Sequence, residues 1–460
     1  MPLHQKLKQL QGKLVVVAGA GISGLSACQF LDKLGAKIIL VDDASSEIIQ
    51  KRIESWGGIP ASVSVQQGIH SSITQRAELI ILSPGISKEH PAIQAALTCH
   101  ISVINEIDLS AAFLPECRFI GITGTNGKST TTTILGSIAK AFDANAFVGG
   151  NLGTPLCETL NNAILPKIAV LELSSYQLEL LNLLKLDAAI VTNRTPDHLD
   201  RYQNVKNYYQ AKAKIFDLLL PSGSVILNQR DQNSKEFLFP PTIHPRLDFN
   251  VASSEMGIAI HDNALVIRTP LMQENLTLDP EQFLGRHNYE NAAAAVAGAL
   301  ALNIPLPTIQ AGLRAYAGIP HRLESLGYAQ GVRWINDSKA TNVESAIIAM
   351  KNFSKGVHLI VGGLGKKSSY APLVEICHGR AKAVYVIGQD APNLLEAFKA
   401  FDCSDAKTLE KAVALAQKKA QRGDIILLAP ACASWDQFES FVHRGNQFRE
   451  LFQKAQGTNL

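Results

Sequence analysis

The 460-residue chain has almost no net charge: 43 Lys and Arg stand against 40 Asp and Glu, a formal +3 at pH 7. No Lys/Arg-rich run appears either. A dedicated nucleic-acid binder usually concentrates basic residues, so this balance argues against that class. Long apolar runs are also missing. The most apolar stretch, "NAAAAVAGALALNIPL", is interrupted by Asn303 and Pro305 and is too short to span a bilayer. The opening "MPLHQKLKQLQGK" has no apolar core of signal-peptide length. The seven cysteines form no C-x-x-C pair. An odd count without zinc spacing points to reduced thiols and a cytoplasmic location. No block repeats at a fixed period, which argues against a solenoid.

What is present is a globular composition, 46% apolar and 18% charged, in a chain long enough for two to four domains. Short apolar, β-branched runs alternate with helix-like stretches: "KLVVVAG", "KIILVD", "AELIILSPG", "RFIGITG", "KIAVLEL", "AAIVTN", "VHLIVGG", "AVYVIG" and "DIILLAP". Each run ends in Gly, Pro, Ser, Asn or Asp, or is followed closely by one. This pattern predicts buried parallel strands with crossover helices, an α/β architecture with more strands than one sheet holds. Three blocks are expected, 1–110, 111–318 and 319–460, with a β-rich, irregular part at 223–283. Ligands in such sheets sit at the carboxyl ends of strands.

In the first block Gly19-Ala20-Gly21-Ile22-Ser23-Gly24 follows a strand and opens a helix, with Asp42 ending the next strand. G-x-G-x-x-G lets backbone approach a diphosphate at a helix N-terminus, and the acid suits a hydroxyl-bearing partner. NAD meets those demands, and so does a UDP-sugar. The glycines alone also make a tight turn. Ser83, in "SPGI", ends a later strand and stands where the same ligand would lie, or simply makes a turn.

"GITGTNGKST" opens the central block's chemistry. It ends like a phosphate loop, yet Ile122 stands where G-x-x-x-x-G-K-[ST] wants glycine. Backbone N–H groups from Gly124, Thr125, Asn126 and Gly127 to Lys128 suit phosphates. Lys128 suits the β- and γ-phosphates, and the Ser129 hydroxyl suits Mg²⁺. Ser129-Thr130-Thr131-Thr132-Thr133 is poor helix material, a local violation of the kind found at functional sites. Glu172 ends the strand "KIAVLEL", a place for a magnesium ligand. His198, in "PDHLDRY", and Lys212, in "YYQAKAKIF", have ordinary structural readings as an isolated histidine and a solvated helix lysine.

Taken together, "GTNGKST", "LELSSYQ", "DHLDRY", "GRHNYEN", "PHRLE", "NDSKATN" and "PACASWDQF" resemble the Mur ligases, ATP-dependent amino-acid ligases of peptidoglycan synthesis. The resemblance runs from residue 19 to "RGNQF" at 444–448. It implies three domains: a Rossmann-like domain for the UDP-substrate, a central P-loop ATP-binding domain with a parallel sheet and a small β-rich part, and a Rossmann-like amino-acid-binding domain. The short G-T-N-G-K loop is then the family form. Glu172 and His198 would hold magnesium, with two Mg²⁺ ions expected, and Lys212 would be carbamylated by CO₂ to become an anionic oxygen ligand. Asn291 would contact adenine. Asn151 and Ser174 would approach the reacting end of the UDP-sugar. Arg322, Asp337 and Lys339 would approach the ATP phosphates.

Within the family, "NDSKATN", "ACASWDQF" and the glycine-rich first domain point to addition of D-glutamate to UDP-N-acetylmuramoyl-L-alanine. ATP would first phosphorylate the carboxylate to an acyl phosphate, which the amine of D-glutamate then attacks. Lys339, Thr341, Lys366, Ser434, Trp435 and Phe441 match the D-glutamate positions. By residue type alone, Ser434 and Trp435 would start a helix and Phe441 would be core. "GGLGKKSSY" departs from G-G-D-G-K: Leu364 replaces the acid, and Lys367 leaves open which lysine meets substrate. "VDDASS" puts Asp43 and Ala44 where uracil contacts are expected. A sister ligase adding another amino acid, a nicotinamide-dependent oxidoreductase using Gly19 to Gly24, and a motor-like ATP-binding module are the competing readings. The oxidoreductase leaves Lys128, His198 and "NDSKATN" unexplained. A monomer is expected.

Overall fold

The computed structural model describes residues 3–195, 202, 204–231, 244–366 and 368–457. The chain divides into two compact units, one of Met1–Leu278 with Arg286–Tyr316, the other of Asp279–Gly285 with Ala317–Leu460.

The first unit begins with a five-stranded parallel sheet: β1 (Leu14–Ala18), β2 (Lys37–Asp42), β3 (Ser64–Gln67), β4 (Leu79–Leu82) and β5 (Ser102–Ile104), in the order β3-β2-β1-β4-β5. The inner strands are buried along nearly their full length, as continuous apolar runs require. Strand order reverses beside β1, and that is where the helix Ile22–Lys33 begins.

A second parallel sheet follows: β6 (Arg118–Thr123), β7 (Phe147–Gly150), β8 (Ile168–Glu172), β9 (Leu186–Val191) and β10 (Leu219–Leu227), ordered β10-β9-β6-β8-β7. β6 lies centrally, between β9 and β8. Its carboxyl end is therefore flanked by the ends of both neighbours. The expected β-rich part is a four-stranded sheet of β11 (Phe249–Val251), β12 (Gly257–His261), β13 (Ala264–Thr269) and β14 (Met272–Thr277). Helices Arg286–Ala301 and Leu306–Ala315 pack on the long helix Lys128–Phe142.

The second unit is a six-stranded sheet, ordered β15-β16-β20-β17-β18-β19. Its strands are β15 (Glu324–Ala329), β16 (Val332–Asn336), β17 (Val357–Gly362), β18 (Ala381–Ile387), β19 (Cys403–Lys407) and β20 (Ile425–Leu428). Only β15 runs antiparallel, joined to β16 by a two-residue turn with Gln330 at φ 53° and Gly331 at φ 77°. The loops after β16, β17 and β20 emerge side by side, because these strands are direct neighbours with β20 between the other two.

Candidate active site

The turn after β6 is a strained glycine loop. Gly124 has φ 144° and Gly127 φ 84°. A side chain at Gly124 would run into Thr192 Oγ1, and one at Gly127 into Asn291 Oδ1. Glycine is required at both places by conformation and by space. Gly127 caps the helix Lys128–Phe142, whose first turns accept the threonine run by burying Thr130, Thr131 and Thr132. Tertiary packing overrides propensity there. Asn291 is buried on the helix Arg286–Ala301 and accepts a hydrogen bond from Thr131 Oγ1 at 3.4 Å.

The segment after β9 stitches this loop in place. Asn193 O accepts from Thr125 N at 3.0 Å. Asn193 Oδ1 accepts from Asn126 N, and Asn193 Nδ2 donates to Asn126 O, both at 2.9 Å. Thr192 Oγ1 donates to Asn126 O at 2.6 Å, and Thr125 Oγ1 donates to Thr195 O at 2.9 Å. Two amines meet at one carbonyl: Lys128 Nζ donates to Gly124 O at 2.9 Å, and Lys212 Nζ donates to the same oxygen at 2.7 Å. Lys128 also donates to Thr125 O at 2.8 Å. Lys212 is 2% exposed, not a solvated helix lysine, and lies 4.6 Å from the centre of the Tyr208 ring.

Glu172, at the end of β8, is 2% exposed. Asn151 Nδ2 donates to its Oε1 at 2.8 Å, and Asn151 N donates to its main-chain oxygen at 2.8 Å. Its Oε2 is buried with no hydrogen-bond partner. An uncompensated buried carboxylate oxygen is costly, and a cation would relieve it. That chemistry suits a hard cation such as magnesium. Among the described residues no group of three or more His, Cys, Asp or Glu forms a metal cluster. His198 lies outside the described residues, as does Lys367. Ser174 caps the short helix Ser175–Leu178 in a capping box with Gln177.

In the first sheet Gly19 has φ 108°, and a Cβ on it would stand 2.6 Å from Ser83 Cβ. Ser83 Oγ donates to Gly19 O at 3.0 Å. Gly24 packs against Gly19 O so closely that a methyl group would collide with it, whereas Gly21 has open space. Ile22 is exposed and Ser23 half-buried. Asp42 is committed to the loop: Oδ2 accepts from Ala20 N at 2.7 Å and Oδ1 from Ala44 N at 2.8 Å, and Arg52 pairs with Oδ2 at 3.2 Å. The sequence suggests a ligand hydroxyl for this carboxylate. In the fold it satisfies main-chain N–H groups that the turn leaves unpaired, and Oδ1, with its one such bond, keeps acceptor capacity for that hydroxyl. Asp43 Oδ1 accepts from Ile69 N at 2.9 Å, and Oδ2 lies 3.2 Å from His90 Nε2.

The second unit gathers its candidates at the carboxyl ends of β16, β17 and β20. Asp337 is buried, accepts from Leu323 N at 3.1 Å, and burial pushes its carboxyl up to about 7. Lys339 is pushed down by desolvation and by Arg322, and its Nζ lies 4.0 Å from the Phe441 ring centre. Arg322 is exposed between His321 and Leu323, both at positive φ. Thr341 is half-buried, Lys366 exposed, Ser434 buried and Trp435 73% exposed. Ser434 O accepts from Phe438 N at 2.9 Å, but the helix itself starts at Phe441. A groove of about 960 Å³ lies beside this region, lined in part by Leu364, Gly365, Tyr370, Asp390 and Asn393.

Three domain descriptions match this chain: Mur ligase MurD-like, N-terminal domain over residues 13–105; Mur ligase middle domain over 122–299; and Mur ligase, glutamate ligase domain over 321–432. A UDP-N-acetylmuramoylalanine–D-glutamate ligase from Koribacter versatilis is 38% identical over 97% of this chain and 98% of its own length. One of the same description from Myxococcus xanthus is 38% identical over 96% of this chain and 98% of its own length. The chain belongs to the Mur ligase family. Among solved structures, MurF from Acinetobacter baumannii (crystal structure II) has a TM-score of 0.63 at 18% identity, covering 98% of each chain. MurC from Thermotoga maritima has 0.58 at 15% identity, covering 96% of this chain and 99% of that chain. Both share the fold.

In this Mur ligase the fold therefore brings Lys128, Lys212 and Asn291 to one glycine loop, and gathers Asp337, Lys339 and Phe441 within the second unit. Sequence reasoning passed over Thr192, Asn193 and Thr195, which hold the loop. The available signal was their place: they follow an apolar strand end, as Glu172 does. It also passed over Arg52 beside Asp42, for which a single sequence offers no signal, since the pair is made only when β2 and its following helix fold.

Proposed function

We propose that this Mur ligase joins D-glutamate to UDP-N-acetylmuramoyl-L-alanine, driven by ATP through an acyl phosphate. The carrying observation is its likeness, at 35–39% identity over nearly the whole chain, to ligases of that name. The glycine loop Gly19 to Gly24 suits the diphosphate of a UDP-sugar. Asn151 and Ser174 flank Glu172 near the reacting end, and Asp43 and Ser83 border the first-domain site. Gly124 to Thr130 receive the ATP phosphates. Lys128 neutralises phosphate charge once its amine leaves the loop carbonyls, and Asn291 borders the adenine end. Magnesium, when bound, screens the two anions that must meet, with Glu172, His198, Ser129 and carbamylated Lys212 as its holders. Arg322, Asp337 and Lys339 serve the transferred phosphate. Lys339, Thr341, Lys366, Ser434, Trp435 and Phe441 receive D-glutamate. A substrate bearing a nucleotide, and the use of ATP, suit a cytoplasmic enzyme. Among the described residues no helix is long and apolar enough to cross a membrane. The enzyme is proposed to act as a monomer.

The test is phosphate release with ATP, Mg²⁺ and the UDP-muramoyl substrate, adding D-glutamate, L-alanine or a diamino acid in turn. Release should depend on D-glutamate. Dependence on another amino acid would favour a sister ligase, and release indifferent to any of them would reject the reading. For the carbamate, Lys212→Ala is expected to lose at least about 10²-fold in kcat, comparable to removing one preorganised electrostatic group. Added short-chain carboxylic acid should restore part of that loss. Wild-type turnover in Lys212→Ala would reject the carbamate.

A further inference from the structure

One buried side chain touches all three loops of the second unit's candidate site. Arg444 lies on the helix Phe441–Gly457 and is 0% exposed. Its Nε donates to Ser338 Oγ at 3.0 Å and its Nη2 to Ser338 O at 2.9 Å, on the loop after β16. Both Nη atoms reach Cys432 O at 3.3 Å, on the loop after β20. Nη1 lies 3.5 Å from Gly362 O, at the end of β17. These acceptors are one hydroxyl and three carbonyls. Ser338 Oγ in turn donates to Phe441 O at 2.8 Å, which fixes the start of the helix. The same loops cross-link directly: Ala431 N donates to Ala340 O at 2.9 Å, and Leu364 and Ala433 exchange bonds at 2.9 and 3.0 Å.

We infer that Arg444 is a positioning residue for the amino-acid acceptor, setting the spacing between the loops that carry Lys339 and Thr341, Lys366, and Ser434. The inference rests on the D-glutamate reading of those residues. Burying a guanidinium is expensive, and loops could be joined more cheaply by apolar packing. The planar fork does what apolar packing cannot: its donors hold several acceptors at fixed distances and angles. Burial pushes the Arg444 guanidinium down to about 10, so it keeps its charge at neutral pH. Lysine at this position keeps a charge but gathers its three donors on one nitrogen, without the planar fork. Ser338 is itself fully buried between Asp337 and Lys339, so its hold on Arg444 orients Lys339.

The experiment measures KM for D-glutamate, ATP and the UDP-substrate separately in Arg444→Lys and Ser338→Ala, with thermal melting of each. Arg444→Lys should raise KM for D-glutamate by about tenfold or more, as loss of a charged hydrogen bond implies, and leave KM for the UDP-substrate within about twofold. Ser338→Ala should show a smaller rise of the same selectivity. An unchanged D-glutamate KM, or a parallel change in all three, would overturn the inference and leave Arg444 a structural staple. If Arg444→Lys fails to fold, Ser338→Ala decides alone by the same criterion. Failure of the underlying reading looks different: the wild type would release phosphate without D-glutamate.

Discussion

Glu106 opens the helix Glu106–Ala111, buried, with Oε1 accepting from Cys157 N at 2.6 Å. Burial outweighs that bond and pushes its carboxyl up to about 7. The native residue then keeps its proton to near neutrality, while the unfolded residue loses it near 4.5. Between those values the native state binds more protons, so stability falls as pH rises, and the loss is complete above about 7. The contribution is on the order of 3 kcal/mol. Urea unfolding at pH 5 and pH 8 should therefore show a smaller fall in Glu106→Gln than in the wild type; equal falls would place the titration elsewhere. At this scale the sequence was informative about residues whose chemistry is unusual for their place, such as Lys128 after a glycine turn. It was silent about Arg444 and Thr192, whose roles exist only through partners distant in the chain.

At the level of elements, the two glycine turns follow one logic, yet their glycines are not equivalent. Gly24 lies on the helix Ile22–Lys33, where a Cβ would strike Gly19 O. Gly21 has φ −84° and nothing within 4 Å of its would-be Cβ. Gly24→Ala should cost about 3 kcal/mol by overpacking backbone against backbone, and Gly21→Ala no more than about 1 kcal/mol. Urea midpoints separate the two, and equal costs would show that the turn relaxes. Strand positions were readable because continuous apolar runs ending in turn residues have few other readings. The helix at Lys128 was readable from its loop despite five unfavourable residues, since packing decides where propensity is weak.

Across the whole molecule, the chain leaves its first unit at Leu278, contributes Asp279–Gly285 to the second, and returns at Arg286. Leu284 is buried in the second unit's core, and Glu281 accepts from Tyr328 there at 2.8 Å. Leu284→Ala should destabilise the second unit by about 2–4 kcal/mol. Emission from the fully buried Trp334, in a Trp56→Phe, Trp435→Phe background, should lose its folded signal at lower urea; an unchanged midpoint would show that this excursion contributes little. No composition shift marks residues 279–285, so three consecutive blocks were the natural sequence reading.

By itself the sequence determined the α/β class, the positions of most strands, and the glycine loops with Lys128 and Glu172. These depend on local patterns, namely apolar run length and residues that only special backbone conformations demand. Tertiary structure decided which groups share a carbonyl at Gly124, which oxygen of Glu172 is left bare, what Asp42 holds, and how one arginine ties three loops. Those outcomes depend on strand order, which sets parallel neighbours beside each other across tens to more than a hundred residues of chain.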